Sequence, residues 1–515
     1  MKKLKKLFKL REKREKEYEK EKEKFEILRA VTVRSDGKEV KPEKKAIMDV
    51  GDPVTYNAPM YANYIMKVVS FPALDSGAVI DYHYRIRSKG GKGERVFYGH
   101  TSFRTFEPIE RKTYTVTIPV AMEFFYSLVP TRRYTHEDKV TLIWETGNME
   151  RVEEEPAIPP LEQLAPTLYM SSFRSWDSAA TWIWNRLKEG LKENEVRDFA
   201  TGKSFEELVS FVKKDIRGIR IPLSVSGYKT SRAEKVLEDR YGDSKDKAIL
   251  LVSLLRAIGL KAWPTLVSSK LKEFPQIADP SILDRAIVKV EKSGEVYWID
   301  PLMDYSSPPT YHPGGIIEES AVPLLSSLLY SGFEGHMALV FYGDSSRIER
   351  VKTHLDNLAN TKATLAIDEG GDLKGIFRTE YYGFYDSQVR KILTGKTPEE
   401  RRRWLKGKLS GVGVGTKLIS YRIENLDDLT KPVSVSVEFT LDNYVDLRER
   451  EVPVILPPNV LSLEDLSSLA SMKERKNPLV MKPRRRVSYE IVLSLPEDVE
   501  VKNYPIFSRL SLIHI

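Results

Sequence analysis

The first third of the chain alternates hydrophobic and polar residues with the period of a β-strand. Val79–Ile86 reads VIDYHYRI, Thr113–Ile118 reads TYTVTI, and Val140–Trp144 adds a short apolar run. Glu153–Pro160 contains three prolines, which is typical of a linker. We therefore predict an antiparallel β-sandwich over residues 25–160.

After Ser175 the hydrophobic residues recur with the period of a helix. One face would carry Trp176, Ala180, Ile183, Trp184, Leu187 and Leu191. Two serine–glutamate pairs then have the spacing of a capping box, Ser204 with Glu207 and Ser231 with Glu234. Each pair predicts the start of a helix, because its two side chains can bond each other's free backbone N–H groups.

A further helix is predicted from Asp243 to Gly259, a favourable residue for a left-handed cap. Residues 248–255 are almost continuously apolar, so this helix should be buried on most sides. Three strands are predicted after it: Ala262–Val267, Ala286–Val290 and Val296–Ile299. A buried helix followed by an antiparallel sheet indicates an α+β domain, which we assign to residues 161–325.

Strand-like alternation returns in the last third of the chain. It is found in Ala363–Ile367, Val433–Leu441 and Val487–Leu495, with one amphipathic helix around Glu399–Leu409. We predict a second β-rich domain over residues 326–509. The fold class is therefore multidomain α+β, with a β domain on either side of the α+β domain.

The two ends of the chain differ from the rest. Met1–Phe25 holds twelve Lys or Arg against six Glu, which accounts for +6 of the net charge of +8. Residues 1–24 are predicted to be a charged helix or tail, and no basic patch interleaved with aromatics supports nucleic-acid binding. Residues 510–515, LSLIHI, match the translation of a sequencing adaptor and are predicted to be an artefact. The chain would then be a metagenomic fragment, with its export signal absent or truncated.

Composition narrows the chemistry further. Cysteine is absent, which excludes disulfides, thiolate metal sites and a cysteine nucleophile. The absence of cysteine, together with 30% charged residues, also favours a thermophilic source. No apolar stretch approaches the length of a transmembrane helix. Zincin, nucleophile-elbow, dinucleotide and Walker motifs are missing from the sequence, so we predict no cofactor and no metal.

The segment Arg240–Val267, RYGDSKDKAILLVSLLRAIGLKAWPTLV, resembles the nucleophile segment GDCKDKA of bacterial transglutaminase-like proteins. Leu283–Val288 and Tyr297–Pro301 are similar to the FNHAIV and WLDP strands of that family. The phrases FEILRAVTVRSDGKEV and SFPALDSGAVIDYHY resemble its uncharacterised N-terminal β domain. The resemblance implies a papain-like fold for the central domain and a periplasmic or other envelope location.

In this family a Cys, a His and an Asp form a papain-type triad, and the matching positions here are Ser244, Arg285 and Asp300. A serine hydroxyl needs a general base within hydrogen-bond reach, whereas a guanidinium stays protonated and cannot accept a proton. The triad is therefore expected to be degenerate. Asp300 is expected to form a bidentate ion pair with Arg285 that holds the two strands in register.

Other residues near these positions have simpler explanations. His312 follows the aspartate strand, opposite to the order of the family, and is interpreted as a loop histidine. Asp243 and Asp246 are interpreted as capping residues, since carboxylates favour the first turn of a helix. A second hypothesis is that Ser244 and Arg285, with the helix N-terminus, bind a carboxylate or another anion.

The preferred hypothesis is a non-catalytic pseudoenzyme with a binding or scaffold role in the bacterial envelope. Its partner would be a protein, peptide or glycan held in the groove of the central domain or on a β-sandwich. The alternative is a serine-dependent amidase, acyl-transferase or peptidase that uses Ser244. A third hypothesis is a paralogue that acts as the partner or decoy of an active cysteine enzyme.

Overall fold

The chain contains several β-sheets, with helices in its middle and its last third. The computed structural model describes residues 13–19, 23–51, 58–61, 64–88, 96–223, 227–302, 311–312, 315–316, 333–352, 357–428, 431–463, 472–480 and 485–502. The predicted adaptor residues 510–515 lie outside the described residues.

Residues up to 171 form four sheets of three strands, and all their described pairings are antiparallel. The strands are β1 Lys13–Glu19, β2 Glu23–Val33, β3 Glu39–Val40, β4 Ile47–Gly51, β5 Tyr64–Ser70, β6 Val79–Ser88, β7 Tyr98–Ser102, β8 Ile109–Pro119, β9 Phe125–Tyr126, β10 Arg132–His136, β11 Lys139–Met149 and β12 Thr167–Ser171. The strand orders are β1–β5–β4, β3–β2–β6, β10–β11–β8 and β7–β12–β9. Short 3₁₀ helices lie at Lys44–Ala46 and Pro59–Tyr61.

The three strands predicted in this region are confirmed, because they lie inside β6, β8 and β11. The charged helix or tail is wrong for Lys13–Glu19, which forms β1 and pairs with β5. This strand lies at the edge of its sheet. Charged side chains are common on edge strands, because they discourage pairing with other chains.

The N-terminal sheets extend beyond the predicted boundary at residue 160. Strand β12 follows the proline-containing segment and pairs with both β7 and β9. The predicted linker is tied to the C-terminal region, since the Glu155 carboxylate accepts backbone N–H bonds from Lys476 at 2.7 Å and Asn477 at 3.1 Å. The boundary is set by backbone pairing, which the proline content of the segment does not reveal.

Six α-helices lie in the described residues between 161 and 257: α1 Leu161–Leu164, α2 Trp176–Leu187, α3 Glu193–Ala200, α4 Phe205–Lys214, α5 Ala233–Asp239 and α6 Ser244–Ala257. Further 3₁₀ helices lie at Lys188–Gly190 and Pro280–Ile282. The capping box of Ser204 and Glu207 is confirmed at the start of α4. The box predicted at Ser231 is wrong, because α5 begins after Arg232 and the Ser231 N–H bonds Asp246 instead.

Helix α6 is buried along most of its length, as predicted. Every residue from Ser244 to Leu255 is buried. The chain leaves the helix through Gly259, which has a φ of +85° as expected for a left-handed cap. Helix α6 packs against α3, α4 and α5 and against the sheet described next.

The central sheet is antiparallel and has the strand order β17–β16–β15–β20–β21. Its strands are β15 Lys261–Val267, β16 Arg285–Lys292, β17 Glu295–Ile299, β20 Met337–Phe341 and β21 Ser346–Arg350. Two strand pairs lie apart from it: β13 Arg217–Gly218 with β14 Tyr241–Gly242, and β18 Tyr311–His312 with β19 Gly315–Ile316. The central sheet extends beyond the predicted domain end at residue 325, because β15 pairs with β20.

The C-terminal sheet has the order β24–β25–β23–β22–β26, with β26 parallel to β22. Its elements are β22 Leu358–Ile367, β23 Leu373–Tyr381, α7 Phe384–Leu393, α8 Pro398–Leu409, β24 Lys417–Glu424, β25 Val433–Leu441 and β26 Arg486–Ser494. The predicted strands and the amphipathic helix, here α8, are confirmed. Both helices pack on one face of the sheet around a separate hydrophobic core.

Gly371 lies between β22 and β23 with a φ of +83°, and a Cβ at this position would lie 2.0 Å from the carbonyl oxygen of Val445. We predict that Gly371→Ala lowers the free energy of unfolding by about 2–4 kcal/mol, because backbone strain and a backbone clash add. Gly370→Ala is the matched control, since the atom nearest to a Cβ at position 370 would be an Asp368 carboxylate oxygen at 3.3 Å. Scanning calorimetry measures both variants, and equal losses would contradict this explanation.

Candidate active site

Ser244 is the first residue of α6 and is only 3% exposed. The Asp243 carboxylate caps the helix by accepting the backbone N–H groups of Lys245 and Asp246, each at 3.0 Å, so its predicted capping role is confirmed. The Ser244 hydroxyl oxygen accepts a hydrogen bond from the Ala286 N–H at 3.2 Å. This bond joins the start of α6 to the start of β16.

Arg285 begins β16, and Asp300 follows β17. The guanidinium donates from Nη1 to Asp300 Oδ2 at 3.4 Å, and the other Asp300 oxygen accepts the Leu302 N–H at 2.9 Å. Asp300 is fully buried, whereas the Arg285 side chain is 16% exposed. The expected ion pair is present, but it is not bidentate, because one guanidinium nitrogen contacts one Asp300 oxygen.

The structure brings the three predicted triad positions together, and none of the described residues is hydrogen-bonded to the Ser244 hydroxyl as a base. In the part of the chain that the structure describes, the Ala286 N–H is the one hydrogen-bond partner of the Ser244 hydroxyl. His312 lies on β18, and its side chain falls outside the description. Its interpretation as a loop histidine stays a prediction.

Lys213 on α4 is a buried lysine whose place near this site the sequence analysis missed. Burial lowers its pKa to about 7, with Asp300 opposing the shift and Lys247 adding to it. Lys247 is also buried, and its ammonium donates to the carbonyl oxygen of Ile216 at 2.6 Å. Helical spacing could have found Lys213, because it lies four residues after the apolar Val209.

Tyr61 from the N-terminal region reaches the start of α6. Its hydroxyl accepts the Asp243 N–H at 2.8 Å and donates to the Asp246 carboxylate. The second Asp246 oxygen accepts the Ser231 N–H at 2.8 Å. Asp246 therefore links three segments of the chain, and its interpretation as a simple capping residue is wrong.

The buried charges around Tyr61 shift one another's protonation. Burial, with the neighbouring Asp246, raises the pKa of Asp243 to about 6, although the Lys245 ammonium contacts its carboxylate. Burial acts to lower the pKa of Lys245, but Asp243 and Asp246 together raise it above its usual value. Burial raises the pKa of Tyr61, so its hydroxyl keeps the proton that it donates.

Residues 58–61 also make an apolar contact with the central domain. Ala58 and Tyr61 form a buried cluster with Ile219 and Ile221, and the Tyr61 ring meets the edge of Tyr241 at 6.3 Å. A cavity of about 600 Å³ lies beside this contact and is lined by Pro59, Met60, Ser231, Arg232, Glu234, Lys235, Glu238, Asp239 and Tyr241. The N-terminal region is therefore anchored next to the candidate site.

A second group of Ser, His and Asp lies outside this site. The His100 imidazole contacts the Asp279 carboxylate at 2.7 Å, and the Ser281 hydroxyl donates to the same carboxylate at 2.6 Å. The hydroxyl and the imidazole nitrogen are 3.2 Å apart. Because both groups are directed at the buried Asp279, the imidazole is not arranged to take the serine proton. The group links β7 to the 3₁₀ helix at Pro280–Ile282.

Two general properties bear on function. Among the described residues, no group of three or more His, Cys, Asp or Glu side chains is arranged to hold a metal ion. None of the helices described is both long and apolar enough to cross a membrane.

Comparison with known proteins gives a match to a domain model over part of the chain and a likeness to solved structures. Residues 12–153 match the model of a domain of unknown function with a solved structure, DUF3857. The match begins at residue 12, so it includes the charged segment that contains β1. No curated protein matches the chain.

A crystal structure described as a "putative protease" from Parabacteroides distasonis is similar over 85% of this chain and 86% of its own, with a TM-score of 0.58 and 16% identity. This likeness shows a shared fold. A "putative cysteine protease" from Cytophaga hutchinsonii covers 50% of this chain and 94% of its own at 11% identity, with a TM-score of 0.19.

Tyr61→Phe is predicted to loosen the start of α6. It removes the hydroxyl that serves the Asp243 N–H and the Asp246 carboxylate, so the local opening free energy should fall by about 2–4 kcal/mol. Hydrogen exchange of peptides covering residues 241–250 measures this change. Tyr241→Phe is the matched control, because its hydroxyl accepts a single bond, from the Met60 N–H at 3.3 Å. In the control, the local opening free energy should fall by about 1 kcal/mol or less. Equal falls in the two variants would contradict the prediction.

Ser244→Ala is predicted to lower the free energy of unfolding by about 1–3 kcal/mol, because the buried Ala286 N–H loses its acceptor. Ser253→Ala is the matched control on the same helix. Ser253 is fully buried, and its hydroxyl has no hydrogen-bond partner among the described residues. The control should leave the free energy of unfolding unchanged or raise it. A similar loss of this free energy in both variants, measured by calorimetry, would refute the assigned role of Ser244.

Proposed function

We propose that this chain is a non-catalytic transglutaminase-like protein with a binding or scaffold role. Ser244, Arg285 and Asp300 would keep the positions of a papain-type triad without its chemistry. The observation that carries the proposal is the bonding of the Ser244 hydroxyl to the Ala286 N–H, with Arg285 directed to Asp300. Among the residues that the structure describes, a hydroxyl in this setting has no hydrogen-bond partner that could take its proton.

The physical chemistry of the two substitutions supports this proposal. A helix N-terminus stabilises a nearby anion by about 0.3–2 kcal/mol, which can help a thiol but leaves an alcohol protonated at neutral pH. A serine nucleophile therefore needs a general base within about 3 Å. Arg285 cannot act as one, since a guanidinium has donors and no acceptor.

The proposed fold of the central domain is papain-like. Helix α6 with its N-terminus against an antiparallel sheet supports this assignment, as does the resemblance of Arg240–Val267 to the transglutaminase-like nucleophile segment. The likeness to a structure described as a protease favours a peptide or protein partner over a glycan. The resemblance also implies an envelope or periplasmic setting.

One observation favours the alternative, a serine-dependent amidase, acyl-transferase or peptidase. Lys213 has a pKa lowered to about 7 by burial and lies close enough to Asp300 to be influenced by its charge. A neutral lysine is able to act as a base for a serine. Within the described residues, however, the Ser244 hydroxyl is bonded to Ala286 and not to Lys213.

Labelling with a fluorophosphonate, a reagent that phosphonylates a reactive serine with loss of fluoride, separates the two functions. We expect intact-mass spectrometry of the full chain to show no adduct on Ser244 at pH 7 or at pH 9. The second pH tests Lys213, because a lysine with a pKa of about 7 is neutral there. Ser244→Ala is the control that identifies labelling elsewhere. An adduct on Ser244 that disappears in both Ser244→Ala and Lys213→Met would overturn the non-catalytic function.

The reverse experiment restores the residues of the family. The double variant Ser244→Cys with Arg285→His is expected to gain peptide hydrolysis or amide transfer, because an imidazole can then activate a thiolate at the start of α6. Ser244→Cys alone is the control, since it keeps the guanidinium. A folded double variant without activity would count against the papain-type arrangement of the site.

A further inference from the structure

The cavity of about 600 Å³ beside residues 58–61 is large enough for a ligand. Ligand pockets in proteins have volumes of about 300–1,000 Å³, whereas one water takes up about 30 Å³. The N-terminal region contributes Pro59 and Met60 to the lining, and the central domain contributes residues between 231 and 241. Glu234 and Glu238 in the lining are exposed, so a ligand can reach the cavity from solvent.

The positive charges that line the cavity are already paired. The Arg232 guanidinium contacts the Glu195 carboxylate through two nitrogens, and its Nε donates at 3.2 Å. The Lys235 ammonium donates to the Asp239 carboxylate at 2.7 Å, one turn further along α5. Each cation therefore has a counter-ion beside it, which disfavours an anionic ligand in this cavity.

Two carboxylates of the lining, those of Glu234 and Glu238, form no ion pair among the described residues. They lie four positions apart on α5, so their Cβ atoms are about 5–6 Å apart on one face of the helix. Like charges at this spacing repel each other. A cation between the two carboxylates would remove this repulsion and could bond both of them.

We propose that this cavity binds the arginine side chain of a peptide. Glu234 and Glu238 accept hydrogen bonds from its guanidinium, and the apolar atoms of Pro59 and Met60 contact its aliphatic part. A guanidinium carries five N–H groups in a plane, so it can bond two carboxylates at once. A lysine ammonium is a compact and strongly hydrated charge, which fits this pair of carboxylates less well.

The choice of a peptide rests on the proposed function, which gives the chain a binding role with a peptide or protein partner. Because the two glutamates are exposed at the cavity, a side chain can enter while the peptide backbone stays outside. A free polyamine shares the positive charge of an arginine side chain. Its binding is therefore one of the outcomes that the experiment separates.

The probe is Nα-acetyl-arginine N-methylamide, and the matched ligand without charge is the corresponding citrulline derivative. Both are titrated into the full chain with ¹³C-labelled methionine methyl groups, where the Met60 signal is identified by its loss in Met60→Leu. We expect the arginine probe to shift this signal with a half-saturation at least about 10-fold below that of the citrulline derivative, because charge-assisted hydrogen bonds are the stronger ones. No shift, or equal half-saturation, would overturn the inference.

Two further ligands define the source of the cation. The lysine derivative with the same blocking groups should bind at least about 3-fold more weakly, and equal or tighter binding would refute the arginine. Putrescine, a free diamine, should also bind more weakly, because it has neither a guanidinium nor a peptide backbone. Equal or tighter binding of putrescine would refute a peptide as the source.

The variants test the two carboxylates directly. In the same titration, Glu234→Gln and Glu238→Gln should each raise the half-saturation of the arginine probe about 3–5-fold, as the loss of one exposed ion pair requires. Glu399→Gln is the matched control for Glu234→Gln, since both glutamates are exposed and lie in the first turn of a helix. The control should bind the probe as the unchanged chain does.

Equally strong binding to Glu234→Gln, Glu238→Gln and Glu399→Gln would exclude the two carboxylates as the binding groups. This failure would leave the non-catalytic function intact, because the titration does not involve Ser244. Covalent labelling of Ser244 would instead remove that function, whether or not the Met60 signal shifts.

Discussion

The burial of α6 is the constraint on which the rest of the central domain depends. Its first turns carry Lys245, Asp246 and Lys247, and all three are buried. A buried charge is tolerated only when it is paired or hydrogen-bonded, so each must find a partner on another element or at the helix end. Asp246 uses Tyr61 and Ser231, and the two lysines use a carboxylate and backbone carbonyls. The chain is thereby tied together at the start of this helix.

This requirement explains why the N-terminal region is anchored where it is. The Tyr61 hydroxyl bonds two groups on either side of Ser244, one of them the N–H of the capping residue Asp243. The aromatic ring adds an apolar contact with Ile219 and Ile221. An arrangement of this kind couples the docking of one domain to the geometry of the helix start in the next. The candidate site is therefore assembled from both regions.

Much of the local structure could be predicted from the sequence, because it depends on short-range patterns. The capping box at Ser204, the burial of α6 and the strand at Val433–Leu441 all follow from periodicity and cap chemistry. The convergence of Ser244, Arg285 and Asp300 came from the family resemblance. Neither a local pattern nor the family resemblance predicts the contact between Tyr61 and Asp246, which are 185 positions apart in the sequence. Sheet membership across the predicted boundaries has no local signal either, since β12 and β20 join their sheets through partners distant in sequence.

Under the proposed function, the residues at positions 244, 285 and 300 are explained by their structural bonds alone. The N–H at the start of β16 needs an acceptor from residue 244, and a serine oxygen supplies one where alanine could not. Asp300 is fully buried, and the Arg285 guanidinium, which stays protonated, offsets the negative charge of its carboxylate. A neutral histidine would not do so. Under the proposed function, Ser244 and Arg285 thus hold these positions through structural bonds to Ala286 and Asp300, and the described residues offer Ser244 no proton acceptor.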